Sequence, residues 1–286
     1  MSAEIEGRES DDGPPSFEDS LAEAFVLALA LDPFVDIHAG MTAAIGLLED
    51  LAQERPDRPE PSLAMAFCHA GLGRSSAAVA CLDACRDLGF GGPSAPEVEF
   101  EQEGDDGERS LVTVTPALAE LLRAQLECEL GQTQAAKRRL EALDGRIDHD
   151  YEAHVHTLLA DLAIDGSDFE TATRHLGEAL AWDRDFAPAH FTRGRLRQAK
   201  GDDDAALRAF ERAVRLDPYE PEFRLARAMA LTATGRADMA FRDLDAIDAR
   251  FDAGFDNDAI AAASARLKAD VAGRLSAAEA AEPPPS

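Results

Sequence analysis

The chain repeats itself at a step of 34 residues. Ala160, Gly194 and Ala228 stand in one column, always small. Twelve residues on come Ala172, Ala206 and Ala240, four further Leu176, Phe210 and Leu244, and three further Ala179, Ala213 and Ile247. The same columns reach toward the N-terminus as Ala124, Ala136, Leu140 and Leu143, after a two-residue insertion near Tyr151. They continue as Ala66, Ala78, Leu82 and Cys85 after a longer one. Such a period means stacked copies of one supersecondary unit, none of which buries its apolar face alone.

Each unit reads as a pair of antiparallel helices. The small residue in the first helix lets the second approach closely. Glycine marks the turn as Gly73, Gly131, Gly201 and Gly235, with Gly166 one place early in the remaining copy. Glycine there ends the first helix, because it takes the left-handed cap conformation cheaply. Asp202, Asp203 and Asp204 then fall at the start of a second helix, where the dipole favours anions. Pro218 stops that helix and opens the next unit. Only 6% of residues are aromatic, while 45% are hydrophobic and many of those are alanine, a composition suited to close-packed helices.

Residues 187–220, ending in "LDP", resemble the tetratricopeptide repeat (TPR) family, and five adjacent copies span about residues 60–250. The resemblance implies an all-α fold, a right-handed superhelical solenoid of helix hairpins. It also implies a concave groove that receives a peptide or helix of another protein.

The expected organisation follows. Residues 1–16 are a disordered acidic tail, and 17–58 a degenerate helical pair in which "FEDSLAEAFVLALALDPF" looks like a second helix and 41–54 holds another. Residues 59–88 are the first repeat, 117–254 four more, 255–281 a C-terminal capping helix, and 282–286 a tail. Residues 89–116 break the pattern. "EVEFEQ" and "SLVTVT" alternate like half-buried strands around "GDDG", so this insertion is a small β-hairpin or an irregular acidic loop. In the capping helix, Ile260, Leu267, Val271 and Leu275 form the apolar stripe.

Charge excludes several functions. The net charge is −28, with 6 basic and 24 acidic side chains in residues 1–116 and 22 and 32 in the remainder. Such a field repels polyanions, so no nucleic-acid partner is expected. No apolar run reaches membrane-spanning length, and the polar N-terminus is unlike a secretory signal; a cytoplasmic protein without a membrane partner is expected. Arg193, Arg197 and Lys200 on a first helix, and Arg208, Arg212 and Arg215 on a second, form basic stripes. They read as a solvated face or, alternatively, as an anion site for a partner's carboxylate or phosphate.

No catalytic constellation emerges. Phosphate loops, nucleophile elbows and HExxH motifs are absent, and the triple aspartate lacks the ligand ladder of an EF-hand. "HDYEAHVH" (149–156) concentrates histidines and acids, but His154 and His156 diverge on a helix, and a mononuclear metal site there needs residues from another unit. Cys68, Cys81 and Cys85 read as small core residues. No metal, cofactor or enzyme activity is therefore expected.

The family resemblance implies that the groove is lined by first-helix positions. Here these are Leu63, Phe67, Leu121, Gln125, His154, Thr157, Asp161, Phe191, Arg195, Gln198, Leu225 and Met229. The family's carboxylate clamp of lysines and asparagines is missing, since Asn257 is the chain's one asparagine. The leading expectation is a non-catalytic scaffold binding a peptide or helix of a partner protein. The alternatives are a structural or self-associating, homo-oligomeric subunit and, third, a thiol- or metal-dependent accessory protein.

Overall fold

The computed structural model describes residues 37–90, 98–103, 109–252 and 257–281, together with Phe17, Ser20, Leu21 and Ala24. The two expected tails, the "GDDG" turn and most of the second-helix-like stretch at 17–34 lie outside these residues. Among the described residues, helix α1 (Ile37–Glu54) precedes the hairpins α2 (Glu60–Gly71) with α3 (Ser75–Asp87), α4 (Pro116–Glu129) with α5 (Thr133–Leu143), and α6 (His149–Asp165) with α7 (Phe169–Trp182). The hairpins α8 (Ala187–Ala199) with α9 (Asp203–Leu216) and α10 (Pro221–Ala233) with α11 (Ala237–Asp252) follow, and α12 (Asp258–Ala281) closes the array.

The insertion is a hairpin. Strands β1 (Val98–Glu103) and β2 (Arg109–Val114) pair antiparallel, with Val98 opposite Val114 and Glu103 opposite Arg109. The alternating pattern thus forms a ladder instead of an irregular loop. Val114 at its end is buried in the same core as Phe90, Leu82 and Ala119.

The columns of the sequence are the core. Ala66, Ala124, Ala160, Gly194 and Ala228 are buried in the first helices, and Leu82, Leu140, Leu176, Phe210 and Leu244 face them from the second. Four apolar clusters succeed one another along the array, and the last joins α8 to α12 through Phe191, Phe210, Phe223, Leu244 and Val271. Each hairpin therefore buries its faces mainly against its neighbours.

The turns share one geometry. Gly201 takes φ +75, its N–H donates to Gln198 O at 2.9 Å, and the Asp202 N–H donates to Arg197 O at 3.0 Å. These are the paired bonds of a Schellman cap. In the α6–α7 turn the left-handed residue is Ser167 (φ 60), and Gly166 keeps φ −78. The early glycine does not move the cap: Ser167 N donates to Ile164 O and Asp168 N to Ala163 O, both at 2.8 Å. The next helix starts on time because the Asp168 carboxylate accepts from Thr171 N at 3.1 Å, as Asp202 accepts from Ala205 N.

Candidate functional site

The first helices make the inner layer. Helix α2 packs on α4, α4 on α6, α6 on α8 and α10 on α12, whereas the principal contacts of α3, α5, α7 and α9 are with helices adjacent in the chain. The first helices thus share one side of the array, the inner side, and the second helices the other.

The residues expected to line a groove divide into two columns. Leu63, Leu121, Thr157, Phe191 and Leu225 are buried, each less than a tenth exposed. Phe191 stacks on Phe223 with centroids 4.9 Å apart and tilts against Phe210 at 5.7 Å, while Thr157 donates its hydroxyl to Ala153 O. These side chains hold hairpins to one another. Four residues further along each helix, Phe67, Gln125, Asp161 and Arg195 are half-buried and Met229 is exposed. They form a ladder, one rung from each first helix. His154 lies half-buried against the ring of Phe186, and Gln198 is exposed.

A charged junction occupies the middle of the ladder. Arg195 pairs with Asp161 at 2.5 Å and with Asp165 at 3.0 Å, so it bridges α8 to α6. Asp161 also accepts from the Thr192 hydroxyl at 3.0 Å. Burial nevertheless pushes the Asp161 carboxyl above its ordinary range, against the opposing pull of Arg195 and Thr192. Desolvation raises Glu222 as well, ahead of the effect of Glu220, with Asp161 and Glu129 adding to it. Glu129 is tied in place by Ser75, whose hydroxyl donates at 2.6 Å, and by the Gln125 amide. Several carboxylates thus surround one guanidinium on this side. Sequence reasoning missed Asp165, Glu129 and Glu222. The available signal was the i, i+4 pair Asp161 and Asp165, one period before Arg195.

The basic stripes lie elsewhere. Arg193, Arg197 and Arg208 line a depression of about 320 Å³ with Asp202, Ala205 and Ala209. Arg193, Arg197 and Lys200 also border one of about 220 Å³ with Leu176, Leu180 and Leu196. These two positions of α8 therefore face α7 and α9, the second-helix side, while Arg195 faces inward.

The cysteines are poor nucleophiles. Cys68 and Cys85 are buried, and burial pushes their thiols up to about 11 and about 12. The Cys128 thiol is pushed up to about 12, by burial and by Asp161 and Glu127 nearby. All four are free. Neutral thiols of this kind behave as small apolar groups.

Among the described residues, then, the chain is an all-helical solenoid of stacked hairpins carrying one two-stranded insertion, and no helix in it is long and apolar enough to cross a membrane. The tetratricopeptide-repeat family model matches residues 187–220. The fold is that of a tetratricopeptide-repeat solenoid. No curated protein matches it. Among solved structures it is similar to a tetratricopeptide repeat protein from Parabacteroides merdae, at 16% identity and a TM-score of 0.50, over 88% of this chain and 85% of that one. It is similar to the Cut9 and Hcn1 assembly of the APC/C at 14% identity and a TM-score of 0.54, over 87% of this chain and 46% of that one. A human IFIT1 dimer with m7Gppp-AAAA aligns at 15% identity and a TM-score of 0.59, over 82% of this chain and 49% of that one. The chain spans about half the length of these last two.

Proposed function

We propose that this protein is a non-catalytic interaction scaffold whose inner ladder receives a basic segment of a partner protein, as an extended peptide or a helix. The observation that carries this reading is the ladder itself: Phe67, Gln125, Asp161, Arg195 and Met229 are accessible along successive first helices while the column behind them is buried. Apolar ends at Phe67 and Met229 suit anchoring side chains, and the acids around Arg195 favour cations. The IFIT1 structure holds a capped RNA. For this chain, a net charge of −28 and an acid-rich inner side disfavour a polyanion.

The test is affinity capture from the native lysate at two salt concentrations, comparing wild type with the double variant Gln125→Arg/Met229→Arg. Met229 is exposed and Gln125 half-buried, and circular dichroism checks that the double variant keeps its fold. A partner held by wild type and by an Arg208→Glu control, but released by the double variant and by salt, supports the ladder. Retention by the double variant moves the site to another face. Recovery of the chain's own copies alone favours the self-associating subunit instead.

A further inference from the structure

Glu152 sits in the first turn of α6 and is only 2% exposed. Its Oε1 accepts from Gly145 N at 3.0 Å, but its Oε2 is sealed from solvent without a hydrogen-bond partner. A buried carboxylate oxygen left unpaired is costly, and native structures rarely keep one without a reason. Two potential ligands face it. His156 stands one turn further along the same face of α6 and is 5% exposed, and Asp144 follows the last turn of α5. One ligand atom from each of the three lies within 4.8 Å of the others. The separation of His156 Nε2 from Asp144 Oδ1 is 3.7 Å.

We propose that Asp144, Glu152 and His156 form a binding site for a first-row divalent transition ion of the Zn²⁺ type, with water in the fourth position. Two carboxylates and one imidazole suit such an ion; calcium and magnesium prefer larger, all-oxygen ligand sets. The sequence alone argued against a metal here because 149–156 lacked a ligand from another unit. The fold supplies one, since Asp144 comes from the preceding hairpin.

An outer partner is also in place. His156 Nδ1 lies 3.1 Å from Nδ1 of His175 on α7. With the ion on Nε2, His156 carries its proton on Nδ1 and donates it to His175, which fixes the ring. In the metal-free protein the chain of bonds runs the other way. Arg174 donates to His175 Nε2 at 3.0 Å, so His175 is protonated on Nδ1 and His156 on Nε2. Loading the site moves both protons to the opposite nitrogens and releases Arg174, which is exposed. The ion then ties the end of α5 to α6 and, through His175, to α7. The other histidines of the motif are engaged elsewhere: His149 stacks on Trp182 and His154 rests on Phe186.

The experiment is a Zn²⁺ titration of chelator-treated full-length protein by calorimetry, with Mg²⁺ as control. Melting curves are recorded with and without one equivalent of Zn²⁺. Wild type is expected to bind one Zn²⁺ that E152Q and H156Q bind at least tenfold more weakly, with a rise in Tm confined to wild type. E152Q keeps the shape and removes the buried charge, so it folds at least as well as the metal-free parent. The histidine nitrogens are followed by NMR in wild type, and Nε2 of His156 is expected to shift at one equivalent. Absence of zinc binding, unchanged affinity in E152Q, or an unmoved Nε2 resonance each overturns the assignment. Zinc that stays with E152Q belongs to another ligand set, such as the cysteines.

Discussion

Gly194 lies directly beneath the ring of Phe210: a Cβ on Gly194 would fall within 2.8 Å of Cζ of that ring. The neighbouring hairpins solve the same contact differently, with Ala160 matched to Leu176 and Ala228 to Leu244. The small column and the bulky column are therefore coupled, and the smallest residue faces the largest. Gly194→Ala gains helix propensity, but the clash with a fully buried ring outweighs it. The expected net loss is about 1–3 kcal/mol by urea unfolding. The double variant Gly194→Ala/Phe210→Leu copies the neighbouring pairs and is expected to recover much of that loss. A double variant less stable than both single variants would break the coupling.

Ser167 is the one described non-glycine residue at positive φ, and it sits where Gly73, Gly131, Gly201 and Gly235 sit in the other turns. An L side chain in that conformation is strained. Ser167→Gly is expected to stabilise the protein by about 0.5–1 kcal/mol, the relief exceeding the added freedom of the unfolded chain. Thermal unfolding of the single substitution measures it, and a fall in Tm would contradict the strain.

The buried carboxylate of Asp243 on α11 is held by two arginines of α10. Arg224 Nη1 lies 3.1 Å from Oδ1, and Arg227 contacts both oxygens, at 2.5 and 2.7 Å. Asp243 is 1% exposed. Removing the acid leaves two partly buried guanidinium groups facing each other, so Asp243→Ala is expected to cost about 3–5 kcal/mol. The reverse truncation, Arg224→Ala, leaves Asp243 paired with Arg227 and is expected to cost clearly less. Equal losses in chemical denaturation would argue against a shared acceptor.

These contacts mark what the sequence disclosed and what it hid. The hairpins, their turns and the core columns were legible because each repeats with the period: Ala172, Ala206 and Ala240 name the same position three times. The strands of the insertion were legible from alternation, but not the burial of Val114, which depends on where the hairpin leans. Within the candidate groove, one period places Thr157 and Phe191 as readily as Asp161 and Arg195. Which column is sealed depends on how far neighbouring hairpins rotate, and that is a property of packing. Asp144, Glu152 and His156 escaped for a similar reason, since their meeting depends on the path of the chain after α5.

His190 offers a test of protonation. It is buried on α8, where Nε2 lies 2.9 Å from Arg184 O, and Nδ1 faces the Arg193 guanidinium at 2.8 Å. A guanidinium only donates, so Nδ1 is the acceptor and the proton resides on Nε2. Protonating Nδ1 would set two donors against each other in a buried place. Burial first, and then Arg193, pull the His190 pKa below 6.5, although the bond to Arg184 O opposes them. A histidine depressed in the folded state contributes its stability in full above the unfolded pKa of about 6.5 and loses it as pH falls below that, because the unfolded chain binds the proton more readily. In an NMR titration the His190 ring is expected to give a midpoint below the ordinary histidine value. Arg193→Ala removes the opposing donor and is expected to raise the His190 midpoint. A wild-type midpoint at or above 6.5, or a midpoint unmoved by Arg193→Ala, would show that the guanidinium does not govern this site.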